Sequence, residues 1–420
     1  MGEVVELQTP PGKGRKPRPK GGNRASPRSC TALVLGGGGF TGGVYEIGAL
    51  RALDLLAVNR TVNEFDVYVG TSAGSFIGSM VANGVTPEEM MRVVNQQVPT
   101  PFKDLGRGSL MRPNYSDFAR SAALLPLRML GLARTVVGQG GRVALMDLGV
   151  QLAGALPSGL YDSRAIQDYL GTVLDDPDRT DDFRQLGNEL YLTATDLDTC
   201  ERIVLGGEGF DDVPIARAVA ASTALPMLYK PVEIKGRQLV DGGIRSTTNV
   251  DIAVERGAKF VVVVNPLVPY VNDFQKVIPT MLGSRVRRVA DMGFAEIGYQ
   301  TFKLLAHQRL HEAVGHWKEK YPGVDIILIE PEPNDELMFE TNVMDFTKRV
   351  EIAKHGFESV TLKLAADYDE LREICARHGI ELSATRVRKV VRRFAEEKEQ
   401  AAGWRRILEQ TTGALLRQSE

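Results

Sequence analysis

Ser72 stands in Gly70-Thr71-Ser72-Ala73-Gly74, with the apolar run "FDVYV" before it and the helix-like run "SFIGSMVAN" after it. A serine at a sharp strand-to-helix turn is held out at a sheet edge, and glycines on either side let strand and helix approach closely around it. It also lies at a helix N-terminus, where free N–H groups and the helix dipole favour developing negative charge. The pentapeptide alone equally describes a tight turn with a structural serine. A serine hydroxyl is a poor nucleophile until a base takes its proton, so the chemistry depends on finding that base.

Two kinds of base are open. The five histidines, His307, His311, His316, His355 and His378, all fall in the C-terminal part. His307 and His311 lie four apart on one face of an expected helix. "HQRLH" lacks the glutamate of the zinc-protease motif, so a solvated helix face is expected there and no metal site. The other base is Asp241, which closes the apolar "QLV" and precedes Gly242-Gly243. This places a carboxylate at the C-terminal edge of a sheet, where the sites of open α/β sheets gather. An ordinary Asp-Gly hairpin turn is the plain alternative. Backbone donors for an oxyanion are offered by "LGGGGFTGG", residues 35–43. The same stretch contains Gly37-x-Gly39-x-x-Gly42, a dinucleotide fingerprint. That rival needs an acidic residue at the end of the second strand, whereas Asp66 begins it.

The elements that must position these residues follow from apolar patterning. "TALVL" before the glycines reads as a buried parallel strand, and Val44, Ile47, Leu50 and Leu53 have helical spacing after them. "FDVYVG" is a second strand, followed by a helix from Ser72 to about Asn83. Thr86-Pro87-Glu88-Glu89 has the cap, first-turn proline and early acids of another helix start. Two strand–turn–helix units so close together predict an α/β fold with a parallel sheet. Further strands are expected at 189–197, 202–207, 232–243 with a turn at Lys235-Gly236-Arg237, 259–266 and 325–332. A helix in "DVPIARAVAASTALP" should stop near Pro226, and helices dominate after residue 340.

Bulk properties restrict the function classes. The 420 residues are 43% hydrophobic and 25% charged, an ordinary globular composition that needs no disulfide or metal staple. A net charge of −2 argues against a nucleic-acid partner held by overall charge. Cys30, Cys200 and Cys375 are isolated and odd in number, which suits a reducing compartment and a cytoplasmic location. No apolar leader and no run of 18 apolar residues is visible, so neither a signal peptide nor a spanning helix is expected.

Taken in order, the loop at 36–43, the Gly70–Gly74 pentapeptide, "ARAVAASTALPMLYKPVEI" and Asp241-Gly242-Gly243 resemble the patatin-like phospholipase family over residues 31–267. The resemblance implies a three-layer α/β/α fold with a mainly parallel central sheet, here followed by a helical C-terminal extension. It implies a Ser–Asp dyad, with Ser72 as nucleophile and Asp241 as general base. Gly37, Gly38 and Gly39 of the Gly36–Gly39 loop would hold the oxyanion. It also implies acyl-ester hydrolysis of phospholipase A or lysophospholipase type on an acyl-lipid substrate, with no metal or other cofactor. One departure stands out. The family carries an arginine or lysine two residues after its glycine triplet, whereas Phe40-Thr41-Gly42 stand there in this chain. A late-histidine base and a non-catalytic binding protein are the remaining rivals.

Contact with a membrane surface, as a peripheral protein, is expected from the segment between Asp117 and Asp147. It has no acid but carries Arg120, Arg128, Arg134 and Arg142 among apolar residues. Pro126 and Gly131 are expected to break it into more than one helix. Residues 386–410 read as a charged amphipathic helix or pair of helices, either a solvated, ion-paired face or a membrane- or partner-docking one with Phe394 and Trp404 as its apolar anchors. The domain expectation is a disordered basic tail at 1–29, a hydrolase domain at 30–335 with an insertion at about 111–160, and a helical region at 336–420.

Overall fold

The structure is a computed structural model, and it describes residues 29–95, 111–138, 156–271, 288–333 and 347–396, with positions 278–279, 285–286, 335 and 337–338 between them. The basic tail before residue 29, Arg142 and Trp404 lie outside the described residues.

The main sheet has eight strands: β1 (Thr31–Leu35), β2 (Val67–Thr71), β3 (Glu189–Asp196), β4 (Arg202–Leu205), β5 (Val232–Ile234), β6 (Arg237–Asp241), β7 (Phe260–Val264) and β8 (Asp325–Ile329). Their order is β8-β7-β1-β2-β3-β6-β5, with β4 added on β3. The five strands from β8 to β3 run parallel, and β4, β5 and β6 are antiparallel to their neighbours. Val, Ile and Leu fill the parallel strands because both faces are covered. Leu33, Leu35 and Tyr68 join one core, while the intervening Ala32, Val34, Val67 and Val69 join another.

Helices cover each face. On the first lie α1 (Gly39–Leu56), α2 (Ala73–Ala82), α3 (Pro87–Asn95), α5 (Arg164–Leu174) and α6 (Ile215–Ser222). On the second lie α7 (Val250–Glu255) and the long α8 (Phe294–Lys320), which buries Leu310 and Trp317. The three-layer α/β/α architecture expected from the sequence is therefore present. The cap before α3 forms as its residue types predict: Glu89 N donates to Thr86 Oγ1 at 3.2 Å, and Thr86 N donates to Glu89 Oε2 at 2.8 Å.

Several expectations need correction. The helix α4 (Tyr115–Gly138) runs unbroken through Pro126 and Gly131. Proline removes one backbone donor and displaces the carbonyl four residues earlier. That carbonyl belongs to Ala122, which is exposed to water, and the Ala, Leu and Arg around it are strong helix formers. The helix α6 stops at Ser222, four residues short of Pro226, with Thr223 Oγ1 bonding the Val219 carbonyl at 2.8 Å. A helix is described over 384–396, but Phe394 is no exposed anchor. It is 8% exposed and packs edge-on against Phe357 at 5.9 Å.

After β8 come α9 (Arg349–Ala366) and α10 (Tyr368–Arg377). The helix α9 lies against α1, in contact backbone to backbone at Gly48 and Gly356. Among the described residues, no helix is long and apolar enough to cross a membrane.

Candidate active site

β2 ends at Thr71 and α2 begins at Ala73, so the whole reversal falls on Ser72. Its backbone has φ 55° and ψ −123°, a conformation that costs a non-glycine residue about 1–3 kcal/mol. The surroundings hold it there. Ser72 N donates to Ser222 Oγ at 2.9 Å, and Ser222 Oγ donates to the Thr193 carbonyl at 2.7 Å. The Ser72 carbonyl accepts from Ser75 N at 2.9 Å and from Ser75 Oγ at 2.5 Å. Both flanking glycines are required by space. A Cβ on Gly70 would lie 2.6 Å from Ser75 Cα, and one on Gly74 would lie 2.4 Å from the Leu35 carbonyl carbon.

Asp241 reaches Ser72 by a route that its sequence position does not reveal. The strand it ends is antiparallel to β3, whereas β2 is parallel to β3. β4 pairs with Leu192–Thr195 of β3, so β2 and β6 must share the opposite edge. β2 occupies that edge up to Thr71↔Thr193, and Asp241 takes the next rung, opposite Ala194. The two strands thus meet end to end, and the turn after one abuts the last residue of the other. The expected position at the carboxyl edge is correct, but it arises from register, with strand polarity reversed.

The result is a direct hydrogen bond in which Ser72 Oγ donates to Asp241 Oδ2 at 2.5 Å. The other carboxylate oxygen, Oδ1, accepts from Gly243 N at 2.7 Å, which fixes the rotamer. Gly242 is pressed against β3, where a Cβ would come 2.4 Å from the Thr193 carbonyl oxygen. Ser72 is 6% and Asp241 3% exposed. Burial pushes the Asp241 carboxyl up to about 6, against the lowering effect of its bonds from Ser72 and Gly243.

The glycine loop lies directly over the serine. Gly36 is tied into the sheet: its N–H bonds the Val264 carbonyl at 2.9 Å, and its carbonyl accepts from Gly74 N at 2.9 Å. Gly37, Gly38 and Gly39 follow at the start of α1, where helix N–H groups lack intrahelical acceptors. A Cβ on Gly37 would sit 3.3 Å from Ser72 Cβ, and one on Gly38 would sit 2.9 Å from Pro266 Cγ. All three glycines line the cleft that contains Ser72 and Asp241. Thr41 is turned inward instead, 4% exposed, with Oγ1 donating to the Gly38 carbonyl at 3.4 Å. The only cationic side chain on the described cleft lining is Arg349, whose Nε donates to the Val94 carbonyl at 3.0 Å. The remaining lining is mostly apolar and includes Phe40, Ile47, Phe76, Leu225 and Leu267.

No histidine lines the cleft among the described residues. His355 pairs with Asp335 at 2.5 Å, His378 with Asp325 at 2.8 Å and His311 with Glu330 at 2.9 Å. Asp66, considered as a ribose partner, accepts from Thr31 N at 2.9 Å, at the opposite end of the sheet from the loop. Sequence reasoning missed Ser222 and a buried triangle beneath the turn. Thr71 Oγ1 and Thr193 Oγ1 are 2.8 Å apart, and Asn249 Nδ2 donates to them at 2.9 and 3.2 Å. It also missed Glu46, wholly buried on α1, where burial holds the carboxyl well above the usual carboxylate range.

Compared with known families, the chain matches a family model described as patatin-like phospholipase over residues 33–254, more than half its length. The chain belongs to the patatin-like phospholipase family. It is 22% identical over 235 residues to a probable lipid hydrolase, 463L, of Invertebrate iridescent virus 6, covering 54% of this chain and 65% of that protein. It is 26% identical over 225 residues to the uncharacterized protein YqhO of Bacillus subtilis, covering 49% of this chain and 64% of that one. The matches thus span just under two thirds of each relative. The structure is also similar to VipD from Legionella pneumophila, with a TM-score of 0.35, 15% identity, and coverage of 81% of this chain and 67% of VipD.

Proposed function

We propose that this patatin-like protein is a serine lipid acyl hydrolase of phospholipase A or lysophospholipase type, working through Ser72 and Asp241. The observation that carries the reading is the 2.5 Å bond from Ser72 Oγ to Asp241 Oδ2 at the end of an apolar cleft. Ser72 Oγ attacks the ester carbonyl carbon as Asp241 takes its proton. The oxyanion is held by N–H groups of Gly37, Gly38 and Gly39. When the tetrahedral adduct collapses, Asp241 returns the proton to the departing alkoxide and the acyl chain stays on Ser72. Water then attacks the acyl-serine, Asp241 takes a proton from it, and the fatty acid leaves with Ser72 restored. The apolar walls suit an acyl chain, and Arg349 supplies the positive charge on the described cleft lining. The hydrolase domain in this reading is residues 30–335, with the region from 336 onward packed on it through α9.

A fluorophosphonate probe tests the nucleophile. Wild type should be labelled at Ser72, as mapped by peptide mass spectrometry, and Ser72→Ala should not. Folded wild type that takes no label and is inert on phospholipid, lysophospholipid, triglyceride and soluble-ester substrates would sink the proposal.

Helix α4 supplies the surface for meeting lipid. Tyr115 is 72%, Leu127 66%, Leu130 53% and Phe118 42% exposed on it. Aromatic and aliphatic side chains of this kind enter the headgroup boundary, and arginines attract anionic lipid. Charge reversal at Arg120, Arg128, Arg134 and Arg142 is expected to abolish co-sedimentation with phosphatidylglycerol vesicles while leaving soluble-ester hydrolysis unchanged. Unchanged co-sedimentation counts against the surface.

A further inference from the structure

Outside the cleft, one cluster of ligating side chains stands apart from the ion pairs on the rest of the described surface. His307 and His311 project from the same face of α8, one turn apart, with ring centroids 4.1 Å from each other. Glu330 directly follows β8, and its Oε1 lies 2.9 Å from His311 Nε2. One ring nitrogen from each histidine and one carboxylate oxygen all lie within 4.8 Å of one another. Two imidazoles four apart on a helix and a carboxylate from another element form a three-point set converging on one volume. The carboxylate is also oriented from behind, where Asn265 Nδ2 donates to Glu330 Oε2 at 3.4 Å. Asn265 is itself fixed, because its backbone N bonds the Ile329 carbonyl at 2.8 Å. Metal ligands are typically held by such outer partners. Glu330 has only 14% of its side chain exposed, while His311 has 44%, so the set opens to water on one side.

We propose that His307, His311 and Glu330 form a binding site for a divalent transition-metal ion of the zinc type, with water in the remaining position. Two nitrogens and one carboxylate oxygen are the donor set of a three-ligand zinc site. Calcium and magnesium prefer six or more oxygens, which this cluster does not offer. Binding takes the place of the His311–Glu330 hydrogen bond, and the three ligands close from their 4.8 Å spread onto one ion. The ion clips the middle of α8 to the end of β8. Tyr299 and Phe302, upstream of His307 on the same helix, line the cleft beside Ser72. The inference does not rest on the hydrolase reading, and it stands even if Ser72 is inert.

The test uses untagged full-length protein, stripped with chelator and dialysed, then titrated calorimetrically with zinc chloride and separately with cobalt chloride under visible spectroscopy. One equivalent of zinc is expected, with no response to magnesium or calcium, and cobalt should give an intense d–d band of low-coordinate nitrogen and oxygen ligation. His311→Ala, at an exposed position, is expected to weaken zinc by more than about 100-fold, beyond the roughly 10–100-fold cost of losing an outer partner. Glu330→Gln should act likewise, and His316→Ala should change nothing. Zinc binding that survives in the His307→Ala/His311→Ala double variant overturns the site. So does wild-type protein that gives no cobalt band, a result independent of how any variant folds.

Discussion

An Asp241→Asn enzyme will hydrolyse a soluble ester on the order of 10³-fold more slowly than wild type, yet melt at a higher temperature near neutral pH. Both halves come from the same carboxyl. The amide matches the carboxylate in shape and its oxygen still accepts from Gly243 N, but it cannot take the Ser72 proton. The stability effect follows from the pKa, about 6 in the folded chain against a reference of 3.8. An acid whose folded pKa is raised stabilises the fold fully below its unfolded pKa and loses that contribution as pH rises through the folded value. At pH 7 the buried charge therefore costs up to about 3 kcal/mol, from roughly two pKa units at 1.36 kcal/mol each. Asparagine removes the charge, so the gain in melting temperature is largest at pH 7 and vanishes near pH 4. Wild-type kcat/KM should rise about tenfold per pH unit below about 6 and level off above it, as the base deprotonates. Ser72→Ala separates the two effects. It loses the nucleophile, on the order of 10⁴-fold or more, but keeps the positive φ and gains no stability. An Asp241→Asn variant with wild-type rate would end the case for this base.

The candidate site was legible in the sequence because its residues sit where the backbone has no freedom. Gly70, Gly74 and Gly242 each stand where a Cβ would enter a neighbouring backbone, so the motif records a steric requirement of the fold. The parallel strands were legible for a related reason: burial on both faces leaves continuous apolar runs such as Phe260–Val264. The residues that brace the site were not legible. Ser222, Thr71, Thr193 and Asn249 are small polar side chains whose roles depend on partners more than a hundred residues away in several cases. Strand polarity is equally invisible locally, since "RQLVD" reads the same whether β6 runs with or against β3. Nothing in the sequence around the histidine pair points to Glu330, which lies nineteen positions beyond His311 and enters only when β8 is placed beside α8. The burial of Phe394 is also invisible locally: an apolar residue among arginines serves as an anchor only if its helix docks, and its contact with Phe357 appears only in the fold.

Two glycine-to-alanine changes, both within helices, should have opposite signs. Gly48 lies where α1 meets α9, and a Cβ there would come 2.4 Å from the Ala353 carbonyl oxygen and 2.6 Å from Phe357 N. Alanine is worth about 1 kcal/mol over glycine in a helix interior. That gain cannot offset contacts with backbone, which cannot rotate away as a side chain would. Gly356 makes the converse approach, with a Cβ position 2.6 Å from the Tyr45 carbonyl oxygen, so neither helix can give without moving the other. Gly48→Ala should therefore push α9 off α1 and cost about 3 kcal/mol, at the upper end for overpacked cores. Gly171, inside α5, has nothing within 4 Å of its Cβ position. Gly171→Ala should stabilise by about 0.5–1 kcal/mol through helix propensity and a less free unfolded chain. Paired thermal or urea melts read both signs in one experiment. Were Gly48→Ala to stabilise like Gly171→Ala, the close packing of α9 on α1 would be wrong, and with it the placement of Arg349, the first residue of α9, on the rim of the cleft.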